Sequence, residues 1–272
     1  NSIAVDYNNS NIIYIATGDR DGSNTSSEGI WKSINGGLTW TLTGLTKALT
    51  GTACPEIYIH PTNSNILWCA TNNGVFRTTD AGTNWTKTLN VSGTCDLEIV
   101  PNDPTIIYAT TATLFYKSID SGANFTQVGV GLPTSAGRMA IAVTAADSNI
   151  VYALSVTSGN IFQGIYKSTD QGATFTAVNT TQTQIASTQA YYDMAITASP
   201  TNANEIYTGF LNIWKSVNGG VTMTQVNSWS SPSSASYSHA DIHFLRFYEN
   251  KLYKSEEKCV DFINSMICVP IE

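Results

Sequence analysis

Carboxylic acids recur just ahead of several apolar, strand-like stretches, although only 20 of the 272 residues are Asp or Glu. When the stretches are aligned by their distance to the next strand, the residues before the first apolar pair are Ser2, Glu56, Asp96, Ala140, Asp193 and Asp241. A fold that arranges these stretches around one axis would gather four acids into a ring. Such a ring suits a cation or sugar hydroxyl groups, because carboxylates only accept hydrogen bonds and repel one another unless offset. The alternative is that the acids cap strand ends or face bulk water.

Aromatic and histidine side chains accompany two of these acids. Tyr191 and Tyr192 precede Asp193, and His239 and His243 flank Asp241. An aromatic ring beside a carboxylate suits sugar recognition, because the ring has an apolar face and a sugar has both apolar and hydroxyl surfaces. The predicted ligand-binding residues are Glu56, Asp96, Tyr191, Tyr192, Asp193, His239 and Asp241.

The same acids permit glycoside hydrolysis. That reaction needs one carboxyl group with a raised pKa and a second carboxyl group about 5–9.5 Å away. The candidate catalytic residues are Asp19, Asp96, Asp193 and Asp241. His239 and His243 have an HxxxH spacing, but zinc needs a third defined ligand, so no metal site is predicted. We find no nucleophile elbow, phosphate loop or Cys–His pair, and we expect no cofactor.

A repeat determines where these residues lie. The segments GIWKSINGGLTW, GVFRTTDAGTNW, LFYKSIDSGANF, GIYKSTDQGATF and NIWKSVNGGVTM share one template. Their Asp or Asn positions are 35, 80, 120, 170 and 218, so the repeats are 45, 40, 50 and 48 residues apart. Two strand-like stretches precede each template and one follows it, which makes four strands per period. Periods of this length with several short strands predict the blades of a β-propeller.

Each template ends in a turn that we call the box, with the pattern Ser/Thr-x-Asp/Asn-x-Gly-x-Thr/Asn-aromatic. The glycine is expected in the left-handed conformation, and the hydroxyl and carboxylate or amide groups bond to the turn backbone. The aromatic residue is expected to pack between neighbouring blades, with Met223 replacing it in the fifth box. The residues assigned this structural role are Ser33, Asn35, Gly37, Trp40, Thr78, Asp80, Gly82, Trp85, Ser118, Asp120, Gly122, Phe125, Ser168, Asp170, Gly172, Phe175, Ser216, Asn218 and Gly220.

These boxes resemble the Asp-box (BNR) repeat of sialidases, two-domain xyloglucanases, sortilin-type receptors and photosystem assembly factors. The resemblance implies an all-β propeller of four-stranded antiparallel blades, with ligands bound at the channel mouth and the boxes on the opposite rim. Asp19 lies in a place similar to that of a catalytic Asp in the xyloglucanases, within a long loop that also contains Asp21. Sialidase activity is disfavoured. That chemistry uses three arginines to grip the substrate carboxylate, and the early Arg-Ile-Pro motif is missing. The chain has only four arginines, Arg20, Arg77, Arg138 and Arg246, and Arg77 precedes a box, so it is expected on the structural side.

The repeats cover residues 1–255, as five complete repeats and the start of a sixth, and residues 256–272 form an atypical tail. Either the tail closes a six-bladed ring, or the chain is a fragment of a propeller with seven blades. We favour the closed ring, because an open one leaves two bare sheet edges. The cysteines, Cys54, Cys69, Cys95, Cys259 and Cys268, show neither a disulfide-rich pattern nor a CxxC pair.

Composition restricts the partners. The net charge of −7 disfavours nucleic acid, and no apolar run reaches the roughly 18 residues of a membrane span. We therefore expect a monomeric, secreted or cell-surface recognition propeller that binds a glycan at the channel mouth. A glycoside hydrolase and a protein-docking receptor or assembly factor are the alternatives.

Overall fold

The computed structural model describes residues 2–18, 26–94, 96–186, 188–234, 236–248, 250–256 and 269–270. Within them, the backbone forms five four-stranded sheets and one three-stranded sheet, each made of strands that follow one another in the chain. We number these sheets blades 1 to 6 in chain order. The all-β prediction is confirmed. Residue contacts divide the chain into a first unit, residues 1–99 and 103–127, and a second unit, residues 100–102 and 128–272.

The first unit holds blades 1 and 2 and most of blade 3. Blade 1 consists of β1 (Ser2–Asp6), β2 (Asn9–Ala16), β3 (Gly29–Ser33) and β4 (Thr41–Thr46), and α1 (Lys47–Thr50) follows it. Blade 2 consists of β5 (Glu56–His60), β6 (Asn63–Thr71), β7 (Gly74–Thr78) and β8 (Thr86–Leu89). Blade 3 consists of β9 (Asp96–Ile99), β10 (Ile107–Thr110), β11 (Phe115–Ser118) and β12 (Thr126–Val128).

The second unit holds blades 4 to 6. Blade 4 consists of β13 (Arg138–Val143), β14 (Val151–Val156), β15 (Phe162–Ser168) and β16 (Thr176–Asn179), and a 3₁₀ turn (Thr183–Ile185) follows it. Blade 5 consists of β17 (Ala195–Ala198), β18 (Ile206–Gly209), β19 (Ile213–Ser216) and β20 (Thr224–Gln225). Blade 6 consists of β21 (Ile242–Tyr248), β22 (Lys251–Glu256) and β23 (Val269–Pro270).

The end of the predicted tail adds a strand to blade 6. Val269 pairs with Lys254, and Pro270 pairs with Tyr253. Cys259 and Cys268 lie outside the described residues, as does Cys95. Closure of a ring by the tail therefore stays a prediction.

The box turns join the third and fourth strands of blades 1 to 5, and each is closed by the same hydrogen bonds. In blade 3, the Ser118 hydroxyl donates to Asp120 Oδ1 at 2.8 Å and accepts from the Gly122 N–H at 2.9 Å. Asp120 Oδ1 also accepts from the Asn124 N–H at 2.9 Å. The four other boxes repeat this pattern. The turn backbone is thereby satisfied by side chains rather than by a neighbouring strand.

Each box turn also holds the connection between the first two strands of its blade. In blade 3, the Ser121 N–H donates to the Thr105 carbonyl at 2.9 Å. Ser121 has a left-handed φ of 58°, immediately before the left-handed Gly122. The first and fifth boxes place a second glycine, Gly36 or Gly219, at the corresponding left-handed position. Glycine adopts this conformation with less strain than the Ala81, Ser121 and Gln171 of the other boxes.

An aromatic side chain in the second strand of a blade reaches the next blade. Tyr14 donates to the Ala81 carbonyl at 3.0 Å, and Trp68 donates through Nε1 to the Ser121 carbonyl at 2.8 Å. In the second unit, Tyr152 donates to the Ala203 carbonyl at 2.7 Å. Burial raises the pKa of both Tyr14 and Tyr152 to about 12, so these phenols stay protonated donors.

The apolar cores lie between neighbouring blades. In the first unit, one cluster joins Tyr14 and Ile30 of blade 1 to Ile57 and Leu67 of blade 2. In the second unit, a cluster of blades 4 and 5 includes Met223, which is buried in place of the box aromatic. Of the box aromatics, Phe175 is buried, Trp85 and Phe125 pack against inter-blade clusters, and Trp40 is half-buried. A blade therefore completes its core only when a neighbour covers it.

We predict that Gly122→Ala destabilises the protein by about 3 kcal/mol in urea unfolding. Gly122 has φ of 73°, and a Cβ there would lie 2.6 Å from Trp68 Nε1. Gly93→Ala is the matched control, because Gly93 has φ of 72° and nothing lies within 4 Å of the added Cβ. The control carries only the cost of the left-handed backbone, about 1 kcal/mol. Equal costs in the two variants would contradict the packing of the box against Trp68.

We predict that Asp170→Asn removes part of the acid sensitivity of folding. The Thr174 hydroxyl, followed by the Thr174 N–H, lowers the pKa of Asp170 from 3.8 to about 2. Because the folded pKa is depressed, the ionised group stabilises the fold above about pH 4, and this contribution disappears as pH falls toward 2. The difference in unfolding free energy between wild type and variant should therefore shrink over that window. In the fifth box, the Thr222 hydroxyl accepts from Asn218 Nδ2. Asn218→Asp should have the opposite effect there, so that the unfolding free energy of the variant becomes more sensitive to acid than that of the wild type.

Candidate functional site

The predicted ligand residues lie at the end of the blades opposite the boxes. In each antiparallel blade, the box and the connection between the first and second strands share one end. The start of the first strand and the connection between the second and third strands share the other end. Glu56 and Asp96 begin β5 and β9, and Asp193 and Asp241 precede β17 and β21.

In the first unit, Glu56 and Asp96 occupy equivalent positions, as predicted. Each lies two residues before the partner of the large aromatic residue in the second strand, Trp68 in blade 2 and Tyr108 in blade 3. Glu56 is half-buried and Asp96 is buried, with Asp96 Oδ1 accepting from the Leu97 N–H at 2.9 Å. Asp19 lies outside the described residues.

In the second unit, the predicted equivalence of the acids is wrong. The pairing register puts Ala195 of blade 5 and Phe244 of blade 6 at the position that Glu56 occupies in blade 2. Asp193 precedes that position by two residues and Asp241 by three, so both lie in connections ahead of their strands. Asp193 is fully buried and Asp241 is half-buried.

A physical ambiguity explains this error. A slip of two residues along a strand leaves every side chain on the same face, so the apolar alternation of residues 194–198 fits both alignments. In blade 6, the pairing register shifts between Ile242 and Phe244. This irregularity increases the offset of Asp241 from the position equivalent to Glu56 from two residues to three. Neither feature can be read from apolar spacing.

Three of the rings singled out from the sequence come together in the second unit. The Tyr192 and His243 rings meet edge to face, with centroids 4.5 Å apart. The Tyr191 ring lies 6.3 Å from that of Tyr192, and 51% of Tyr191 is exposed to solvent. We call these three residues the aromatic platform. It presents one open tyrosine on two supporting rings.

Buried Arg138, at the start of β13, anchors the loop that carries the platform. Its Nη1 donates to the carbonyls of Ala190, Tyr191 and Tyr192 at 3.0–3.3 Å, and its Nη2 donates to that of Met194 at 3.2 Å. These bonds fix the backbone of residues 190–194 from blade 4. This role of Arg138 was not predicted from the sequence. The available signal was a lone cation next to the apolar run 139–143, because an Arg that begins a buried strand needs several acceptors.

Two further exposed aromatic residues at this end of blade 5 were also missed. Trp229 is 44% exposed and Tyr237 is 39% exposed, and both lie in the connection from β20 to β21. The Trp229 N–H donates to Asn212 Oδ1 at 3.0 Å, which ties the connection to the loop between β18 and β19. Together with Tyr191, they place three exposed aromatic residues in the loops at this end of blade 5.

Asp241 has an unusual backbone. Its φ is 67°, in the left-handed region that residues other than glycine rarely adopt. Its Oδ1 is buried, and no residue among those described bonds to that oxygen. The neighbouring Ile242 N–H donates to the Phe210 carbonyl at 2.9 Å, which holds β21 against blade 5. His239 is half-buried, with Nδ1 3.2 Å from the Ala240 carbonyl.

Solved structures resemble this chain, whereas no protein-family model and no curated protein matches it. An ancestral GH74 enzyme matches with a TM-score of 0.67 and 16% identity, over 94% of this chain and 34% of its own. The GH74 xyloglucanase from Xanthomonas campestris matches with a TM-score of 0.65 and 16% identity, over 93% of this chain and 43% of its own. The fold is a β-propeller fold.

A third match is to a structure with a bound peptide, and it covers more of the matched chain. YCF48 bound to D1 peptide matches with a TM-score of 0.56 and 15% identity, over 93% of this chain and 73% of its own. The chain thus spans less than half the length of the two GH74 structures and most of YCF48. At such identities the likeness concerns the fold. Within the described part of the chain, no helix has the length and apolar character that crossing a membrane requires.

We predict that Arg138→Met destabilises the second unit by about 3 kcal/mol, because four carbonyl groups lose a buried cationic donor. Urea unfolding measures this cost, and amide hydrogen exchange should accelerate in residues 190–194. Arg246→Met is the control, since Arg246 is exposed above the Phe244 ring and its loss should stay within about 0.5 kcal/mol. Unchanged exchange in residues 190–194 would show that Arg138 does not anchor the loop.

Proposed function

We propose that this protein is a recognition propeller that binds carbohydrate at the end of the blades opposite the boxes. The observation that carries the proposal is the aromatic platform, with its exposed Tyr191 ring supported by Tyr192 and His243. A sugar ring can stack its apolar face on such a tyrosine while its hydroxyl groups reach neighbouring polar atoms. Polar acceptors near the platform include the half-buried Asp241.

The rigidity of the platform supports binding. A tyrosine loses little side-chain freedom on binding, and a loop that is already fixed pays no ordering cost. Arg138 fixes the loop backbone, and the contact of Tyr192 with His243 orients the side chains. The exposed Trp229 and Tyr237 extend the same chemistry to further sugar units along a polymer.

Glycoside hydrolysis at the end of the blades opposite the boxes is the less supported hypothesis. A glycosidase needs two carboxyl groups that flank the scissile bond. Asp96 and Asp193 are buried, so neither carboxyl group is exposed to a substrate in this conformation. We therefore propose binding without hydrolysis, although GH74 enzymes are among the structural matches. Binding of a peptide, as in the YCF48 structure, is the alternative if the wild type binds none of the polysaccharides tested below.

The other assignments follow from this proposal. We propose that the five turns are Asp-box turns, since each is closed by the hydroxyl and Asp or Asn groups of the repeat. We also propose that the protein is monomeric and acts outside the cell or at its surface, where polysaccharides are found.

We predict that Tyr191→Ala weakens polysaccharide binding by about tenfold, the equivalent of about 1.4 kcal/mol of lost stacking. Titration calorimetry against soluble xyloglucan, xylan, mannan and mixed-linkage glucan gives the affinity, and a reducing-end assay runs on the same samples. Tyr248→Ala is the matched control, because Tyr248 is 64% exposed but lies at the other end of β21.

Two results would contradict the proposal. One is equal binding by the Tyr191→Ala and Tyr248→Ala variants, which would place the ligand away from the platform. The other is binding of none of the four polysaccharides by the wild type. Release of reducing ends by the wild type would support the hydrolase reading instead.

A further inference from the structure

Backbone hydrogen bonds join two pairs of neighbouring blades at the box end, and a glycine donates in each. In the first unit, the Gly44 N–H of β4 donates to the Gly82 carbonyl of the second box at 2.9 Å. A Cβ on Gly44 would lie 2.2 Å from the Thr83 carbonyl oxygen, so no other residue permits this approach. In the second unit, the Gly129 and Val130 N–H groups donate to the Ala173 carbonyl of the fourth box at 3.3 and 3.1 Å.

Blade 2 lacks this feature, as does blade 4, whose β16 is joined to the box of blade 5 by no backbone hydrogen bond among the described residues. The fourth strand of blade 2, β8 (Thr86–Leu89), contains no glycine. Among the described residues, no backbone hydrogen bond joins β8 to the box of blade 3. A cavity of about 220 Å³ lies between β8 and that box. We call this space the blade 2–3 cavity. Its lining includes Arg77, Asp80, Asn84, Thr86, Thr88 and Ala123.

Arg77 gives the cavity a fixed donor. The corresponding positions of blades 1, 3, 4 and 5 carry lysine, namely Lys32, Lys117, Lys167 and Lys215. The Nε of Arg77 donates to the Ser121 carbonyl at 2.8 Å, which holds the guanidinium in place. No described residue accepts a hydrogen bond from its Nη groups, so they are available to a ligand.

The cavity also contains a negative charge and a buried hydroxyl group. Asp80 is held ionised, because the N–H and then the side chain of Asn84 lower its pKa. One guanidinium and one carboxylate cancel in charge, which disfavours an anion or a cation as the occupant. The Thr88 hydroxyl is buried, and no described residue bonds to it. A buried hydroxyl in this state calls for a partner from water or from a ligand.

We propose that the blade 2–3 cavity binds a neutral polyhydroxylated molecule the size of one sugar unit. Each hydroxyl group of such a ligand both donates and accepts, which matches the Nη donors of Arg77 and the two-way hydroxyls of Thr86 and Thr88. The cavity is smaller than the roughly 300 Å³ lower end of drug-sized pockets, so it takes one ring. No aromatic residue is among its lining residues, which limits the affinity to about the millimolar range.

The test is a titration of the ¹⁵N-labelled protein with D-xylose, D-glucose and myo-inositol, with D-glucuronate as the charged comparison. The amide signals of Thr79 and Thr88 should shift and saturate at millimolar concentrations of at least one neutral probe. Arg77→Lys and Thr88→Val should each weaken that binding by about tenfold. Both changes introduce residues that other blades carry in the corresponding strands, such as Lys167 and Val178, so the fold should tolerate them.

Lys32→Arg is the matched control, because it places an arginine where β4 already contacts the second box. It should bind the probes as the wild type does. Tyr191→Ala should also leave the Thr79 and Thr88 shifts unchanged, which separates this site from the aromatic platform. The proposal is overturned if no neutral probe gives saturable shifts, if glucuronate alone binds, or if Arg77→Lys binds as tightly as wild type.

Discussion

The hydroxyl group that opens each box is the contact on which the other contacts of a blade depend. In blade 3, the Ser118 hydroxyl bonds to both Gly122 and Asp120, and so it closes the turn. The closed turn presents the Ser121 carbonyl, at which Trp68 and Arg77 of the preceding blade both donate at 2.8 Å. If the turn opened, the buried indole N–H of Trp68 would lose its acceptor, a cost that falls on the interface between blades.

This arrangement leaves the two ends of a blade under different constraints. The box end is held by short side-chain bonds that repeat from blade to blade, and its loops have little room to change. The opposite end carries connections of different lengths, and these need their own supports. Arg138 supplies one for residues 190–194 by donating to four carbonyl groups. Because those acceptors satisfy the buried cation, the loop gains rigidity without an unpaired charge.

Departures from the repeat mark the places where ligands are proposed to bind. Arg77 replaces a lysine, and β8 lacks the glycine through which β4 donates to the next box. Asp241 has a left-handed backbone at the entry to β21, and no repeated turn requires this conformation. The repeat encodes the fold through local consistency, so positions that break it are the ones open to a different role.

The sequence alone determined the blades and the boxes, because both depend on local features. The period of 40 to 50 residues, the alternating strands and the hydroxyl–Asp/Asn–Gly order of residues such as Ser168, Asp170 and Gly172 each specify hydrogen bonds within a short segment. The equivalence of Glu56 and Asp96 was also readable, since their strands share one spacing.

Only the tertiary structure decided the rest. A slip of two residues keeps the alternation intact, so pairing with β18 was needed to show that Asp193 does not occupy the position equivalent to Glu56. The meeting of Tyr192 with His243 and the reach of Arg138 across blades join residues about 50 apart in sequence. Such contacts arise from the packing of one blade on the next, and no periodicity within a single blade encodes them.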